Sequence, residues 1–364
     1  MKENSSEKIC PGVGREKLSI EVTTRCNSSC LHCFARSGIS RRSSLTVDLV
    51  KEIMVEGYKA GYRHLHITGG EPLLWESLFE ALDYGFGVGY ETLLLNTNGT
   101  LITEEISKRC ANYGSFFSMS ISLEGPEALH DRIRGKGSHR RTLRGIEKVL
   151  NAGNDLTIFT TVTKSMLPEL PHFADDLYKR FPSINYLILI QLIRMTSGAF
   201  ALPEELLEPE DFIRLVRMVG FLQLGGLRAI VKKNPLANVV SKVLEMPWIP
   251  RVPPLYREGC MIVRANRHIG VAHSSRNSFG RYRPGMIRKV LASDGYRRTV
   301  APDRATCPSC KYAQLCEENG MIRPSQGYGD LYVDMPYCRR VLDRIASAQA
   351  VLRGEPEGRE AYVC

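Results

Sequence analysis

The stretch Leu18-Ser19-Ile20-Glu21-Val22-Thr23-Thr24-Arg25-Cys26-Asn27-Ser28-Ser29-Cys30-Leu31-His32-Cys33 decides the reading of this chain. Its first six residues alternate apolar with polar side chains and are rich in β-branched types, which is strand composition. Three cysteines follow at once, spaced Cys26-x3-Cys30-x2-Cys33. Spacing that close lets one loop aim three thiolates at one point. A structural zinc site takes four ligands, and no fourth Cys or His follows at zinc-ribbon spacing. His32 sits between two ligands and is expected to point away from a centre they share. Three thiolates on a 4Fe–4S cube leave one iron open to a further molecule.

Outward from this stretch, β-rich runs alternate with helix-like segments. Candidate strands are Leu18–Thr23, His64–Thr68, Thr92–Thr97, Phe117–Leu123, Leu156–Thr163 and Tyr186–Ile193. Between them apolar residues recur at helical spacing, as in Leu49, Ile53, Met54 and Tyr58, or Ile146, Val149 and Leu150. Such alternation predicts an α/β fold with a parallel sheet and crossover helices. Six units make an incomplete barrel. Turn signals follow the strands directly: Gly69-Gly70-Glu71-Pro72, Asn98-Gly99 and Gly125-Pro126. Strand C-terminal ends carry the site in parallel α/β folds, so these loops are its expected walls.

Here the pattern resembles the radical S-adenosylmethionine (SAM) enzymes. Their fingerprint is Cys-x3-Cys-x-aromatic-Cys on the first strand's loop, and His32 fills the aromatic slot. Thr68-Gly69-Gly70-Glu71-Pro72, Asn96-Thr97-Asn98-Gly99 and Ser120-Ile121-Ser122-Leu123-Glu124-Gly125-Pro126 follow in order, then His130-Asp131-Arg132-x-Arg134-Gly135. The resemblance implies a partial (β/α)6 TIM-type barrel. It implies that Cys26, Cys30 and Cys33 hold a 4Fe–4S cluster whose open iron chelates SAM. Gly69 and Gly70 are then expected to let backbone approach the methionine moiety, and Glu71 to accept from its ammonium. Ser122 and Glu124 are expected to hold the ribose, Arg134 the carboxylate, and His32 to lie against the adenine. Reductive cleavage then yields a 5′-deoxyadenosyl radical that takes hydrogen from a substrate.

A second cysteine group, Cys307-x2-Cys310-x5-Cys316 with Cys338 further on, supplies four thiolates. Spacing alone fits a saturated 4Fe–4S cluster and a structural zinc equally. The segment resembles the SPASM extension of many radical SAM enzymes, which carries two auxiliary clusters. Cys260 and Gly270 fit its opening, but Ser275 and Gly320 stand where two further cysteines belong. One auxiliary 4Fe–4S cluster on Cys307, Cys310, Cys316 and Cys338 is therefore expected. A rebuilt inner cluster from Cys260, His273 and Cys10 or Cys364 is the alternative. Cys110 reads as a packed thiol.

Proline enrichment at Pro247, Pro250, Pro253 and Pro254 marks a boundary region, and Pro203 to Met246 reads as helices with a turn at Gly225-Gly226. The expected organisation is a polar leader at 1–16, the barrel at 17–230, a small cysteine-rich SPASM-like domain at 231–345 and a tail at 346–364. Bulk numbers set bounds. No run of eighteen apolar residues predicts a membrane span, and the polar N-terminus lacks a signal core. A cytoplasmic protein is expected, where grouped cysteines are metal ligands before they are disulfides. The net charge of +10 comes without an arginine–aromatic stripe, so no nucleic acid is expected. A basic face suits an anionic substrate or an acidic reductant such as flavodoxin or ferredoxin.

The function read from these residues is radical chemistry on a peptide being matured. The same chemistry on a tetrapyrrole or other small molecule is the alternative, since the short leader offers no peptide-docking domain. A non-catalytic zinc scaffold is the rival of another class.

Overall fold

β1 (Lys17–Glu21) lies inside the sheet, because strands from both halves of the chain pair with it. The computed structural model describes residues 17–33, 35, 37–193, 202–252, 260–271, 273, 278–300, 311–312, 315 and 335–352. After β1 come α1 (Val47–Lys59), β2 (His64–Thr68), α2 (Leu78–Val88), β3 (Thr92–Thr97), α3 (Glu104–Ala111) and β4 (Phe117–Ser122). Then follow α4 (Glu127–Arg134), α5 (Ser138–Asn151), β5 (Asp155–Val162), α6 (Leu170–Arg180), β6 (Tyr186–Gln191), α7 (Pro209–Leu224), β7 (Ala229–Lys232) and α8 (Leu236–Val243). The later elements are β8 (Met261–Val263), β9 (Ile269–Gly270), α9 (Met286–Ala292), α10 (Asp294–Val300) and α11 (Met335–Leu352).

The strand order is β7-β6-β5-β4-β3-β2-β1-β8-β9. Every pairing is parallel except β8 with β9. This is the α/β parallel-sheet fold expected from the strand–helix alternation. All six expected strands form, with ends shifted by no more than two residues.

Two features differ from expectation. The stretch from Pro203 to Met246 is not all helical: Ala229-Ile230-Val231-Lys232 forms β7, paired to β6. The boundary expected at 230/231 therefore falls inside a strand. Beyond the prolines, β8 adds parallel to β1, with Leu18 beside Met261 and Ile20 beside Val263. Residues past the linker thus extend the same sheet.

The two faces of the strands differ. Leu18, Ile20, Leu65, Ile67, Leu93, Leu95, Met119, Ile121, Leu156 and Ile158 are fully buried in the apolar core. The alternate positions Ser19, His66, Asn96, Ser122 and Thr161 line a cavity on the other face. Parallel strands covered on both faces are usually apolar on both. A polar inner face is what a site inside the barrel requires.

Local capping fixes the helix starts behind the loops. The Thr46 hydroxyl accepts from Leu49 N at the start of α1, and Thr103 accepts from Ile106 N at α3. No helix among the described residues is long and apolar enough to cross a membrane.

Candidate functional site

The cysteine loop leaves β1 and is pinned on both sides by backbone bonds. Gly70 N donates to Thr23 O at 2.7 Å, and Glu71 N to Arg25 O at 2.8 Å. A Cβ on Gly70 would stand 2.2 Å from Arg25 O, and one on Gly69 2.5 Å from Thr23 O. The glycine pair is thus needed for the close approach of the β2 loop to the cysteine loop. Both glycines also line the cavity.

Cys26, Cys30 and Cys33 all line this cavity of about 340 Å³. Ser28 N donates to Cys26 Sγ at 3.4 Å, Asn98 Nδ2 reaches the same sulfur at 3.9 Å, and Arg134 Nη1 reaches Cys30 Sγ at 3.7 Å. Burial pushes the Cys26 thiol up to about 11. It raises Cys30 too, against the pull of Arg134. Thiolates there need a cation beside them. Among the described residues no three Cys, His, Asp or Glu side chains close on one point as a single ion requires. A 4Fe–4S cube asks for wider spacing, because each thiolate holds a different iron. Three soft donors around one cavity, with sulfur-directed N–H groups, fit such a cube.

Glu71 occupies a different place from the one expected of a SAM ligand. Its carboxylate is fully buried and does not line the cavity. It accepts from Leu73 N at 3.1 Å, Thr97 Oγ1 at 2.7 Å and Asn98 N at 2.8 Å. Burial raises its pKa, and those three donors oppose the rise. Glu71 therefore ties the β2 loop to the β3 loop. Asn98 carries the tie onward: its Nδ2 donates to Asn27 Oδ1 at 2.8 Å, beside Cys26.

On the opposite wall, Glu124 is almost wholly buried. Arg134 Nε donates to Oε1 at 2.8 Å, and Thr161 N donates to Oε2 at 2.6 Å. His32 Nε2 lies 3.1 Å from Oε1. Burial alone would raise the Glu124 carboxyl, but Arg134 and His32 hold it well below the usual carboxylate range. The two residues expected to meet the ribose and the carboxylate are thus bound to each other, and any carboxylate at Arg134 would share it with Glu124. Ser122 lines the cavity between them. His32, set between Cys30 and Cys33, also turns into the cavity.

Cys307, Cys310 and Cys316 lie outside the described residues, as do Ser275, Gly320, Cys10 and Cys364. Cys338 lies in α11, buried in the core. Cys110 is buried in α3, its thiol pushed up by burial to about 12. Cys260 is buried and lines the same cavity as the trio. His273 lines it too, with Nδ1 3.3 Å from Glu21 Oε1. Asn98, in the loop after β3, and Thr161 add contacts beyond the expected site residues. Thr161 acts through its backbone, where residue type carries no signal.

Residues 20–177 match the Radical SAM superfamily. The mycofactocin maturase MftC of Mycolicibacterium smegmatis is 34% identical over 43% of this chain and 40% of its own length. An AdoMet-dependent heme synthase of Methanosarcina barkeri is 39% identical over 46% of this chain and 48% of its own. Each alignment covers less than half of the relative. Streptococcus suis SuiB, solved with its precursor peptide SuiA, superposes with a TM-score of 0.70 over 89% of this chain and 75% of SuiB, at 16% identity, a likeness of fold. The barrel, the glycine-clamped cysteine loop and these matches agree: residues 20–177 of the chain carry a radical SAM domain.

Proposed function

We propose that the chain reductively cleaves SAM and uses the resulting radical to abstract hydrogen from a peptide being matured. One observation carries the reading: Cys26, Cys30 and Cys33 share a single cavity with Gly69, Gly70, Ser122, Glu124 and Arg134, at the C-terminal ends of parallel strands. When bound, the 4Fe–4S cluster supplies the electron that splits the SAM sulfonium into methionine and a 5′-deoxyadenosyl radical. The protein's own residues position and shield. Cys26, Cys30 and Cys33 hold the cluster. Gly69 and Gly70 offer backbone to the methionine end, and Arg134, shared with Glu124, the carboxylate contact. Ser122 and Glu124 hold the ribose, and His32 lies against the adenine. Glu71 acts in this reading by fixing the loop of Asn98 instead of meeting the ammonium.

A second 4Fe–4S cluster on Cys307, Cys310, Cys316 and Cys338 is part of the proposal, supported by the radical SAM domain before them and by the resemblance of the segment to the SPASM extension, with an external flavodoxin or ferredoxin as reductant. The tetrapyrrole reading stands beside the peptide one because a heme synthase is among the relatives. The experiment is anaerobic reconstitution, dithionite reduction and addition of SAM. Free 5′-deoxyadenosine is expected, and Cys30→Ala abolishes it. A cluster-loaded wild type that forms none would overturn the reading.

A further inference from the structure

We propose that His130 is a positioning residue for the SAM-facing wall, holding the turn between β4 and α4 so that Arg134, one helical turn further on, reaches the cavity. This deepens the reading of the cavity as a radical SAM site and rests on it.

The geometry starts at the backbone. Glu124 N donates to His130 Nδ1 at 3.1 Å, across the turn Glu124-Gly125-Pro126. Gly125 takes φ of 114° there, and a Cβ on it would stand 2.4 Å from Met166 Sδ, so the chain reverses in little space. His130 is fully buried. A backbone N–H only donates, so Nδ1 is the acceptor and the ring proton belongs on Nε2. Burial, helped by Arg134, takes the imidazole down to about 3, which leaves the ring neutral and the acceptor available at neutral pH. An apolar side chain would fill the same buried space without desolvating an imidazole, so the position uses the ring for its acceptor.

His130 and Arg134 stand four residues apart on α4 and share one face of it. The far end of α4 is tied as well: Leu31 N, between Cys30 and His32, donates to Ile133 O at 3.0 Å. One short helix thus spans Glu124 and the cysteine loop. Arg134 leaves that helix to meet both, with Nε donating to Glu124 Oε1 at 2.8 Å and Nη1 3.7 Å from Cys30 Sγ. Thr161 N donates to the other carboxylate oxygen at 2.6 Å. Glu124 is therefore gripped at its backbone by His130 and at its side chain by Arg134 and Thr161. Loosening the backbone grip lets the turn and α4 shift, and the guanidinium moves with them. Misplacement of about 1 Å in a positioning group is costly.

The test reads SAM binding, by equilibrium dialysis on the full-length, cluster-loaded chain. His130→Leu should bind SAM about tenfold more weakly than wild type, the upper worth of one neutral hydrogen bond. His130→Asn, whose amide oxygen can take the place of Nδ1, should recover most of that loss. In an Arg134→Gln background His130→Leu should add little, because its effect runs through Arg134. Should His130→Leu not fold, His130→Gln takes its place, since its amide extends to the Nε2 position. Wild-type affinity in the variant without the acceptor overturns the proposal. So do equal losses with Leu and Asn, which mark a packing role, and an undiminished loss in the Arg134→Gln background. A cluster-loaded wild type that binds no SAM removes the reading beneath, and the proposal with it.

Discussion

Asn98 links three loops through its side chain and its backbone. Its amide donates to Asn27 and reaches Cys26 Sγ, while its backbone N–H is held by Glu71. Hydrogen bonds to ligating sulfur raise the potential of an iron–sulfur cluster. A neutral bond is worth about 0.5–1.5 kcal/mol, and the long contact here belongs at the low end. Asn98→Ala should then lower the midpoint potential of the SAM cluster by roughly 20–30 mV, read by potentiometric titration of its EPR signal. An unchanged potential would remove Asn98 from this role. Across the cavity, Glu124→Gln leaves the buried Arg134 without its counter-charge, a loss of about 3–5 kcal/mol at neutral pH. Because the folded-state pKa of Glu124 is depressed, the pair's contribution is present above the ordinary carboxylate range. It is lost progressively as pH falls from that range through the depressed value. Thermal scans of wild type and variant should keep a constant gap from neutral pH down to the ordinary carboxylate range, and a gap that narrows steadily in stronger acid. The three thiols and Arg134 were legible in the sequence. The engagement of Glu71 by the β3 loop was not, because it depends on a contact 27 residues away in the chain.

At the scale of elements, the cysteine loop has its shape because another loop lies against it. Gly70→Ala forces a methyl to within 2.2 Å of Arg25 O, a backbone atom that cannot rotate aside. The strands and helices do not depend on that contact. The variant should keep its far-UV circular dichroism yet load markedly less iron in the N-terminal site, with weaker charge-transfer absorbance. Full loading would show that the loop tolerates displacement. Strand and helix existence was readable because β1 to β6 are long enough to show their period. β7 was missed for a physical reason. It is four residues between two amphipathic helices, too short to break the helical pattern, and only pairing with β6 makes it a strand. The polar inner positions of the strands were visible as alternation. Whether they faced water or an enclosed cavity depended on strands hundreds of residues apart, as the contact between His66 and His273 illustrates.

At the scale of the molecule, the part beyond the proline-rich linker is joined to the barrel at several places. β8 pairs with β1, and Glu56 of α1 accepts from Tyr282 Oη at 2.7 Å and Ile287 N at 2.7 Å. α11 brings Tyr337 within 3.1 Å of Gln191 Nε2 at the end of β6. Cys338, the next residue, is buried beside that contact. A cysteine packed against the barrel can serve as an inert thiol or as the fourth ligand of a cluster whose other three ligands lie at Cys307, Cys310 and Cys316. Iron counting separates the two. Two 4Fe–4S cubes need about eight irons per chain, and Cys338→Ser should reduce the count toward about four if the auxiliary cube is lost with its last ligand. In that variant the EPR signal of the N-terminal cluster should persist, because Cys26, Cys30 and Cys33 sit on a different loop. A wild-type count near four would leave the second group without a cluster. A count near twelve would instead require Cys260 and His273, both on the cavity wall, to take part in a third.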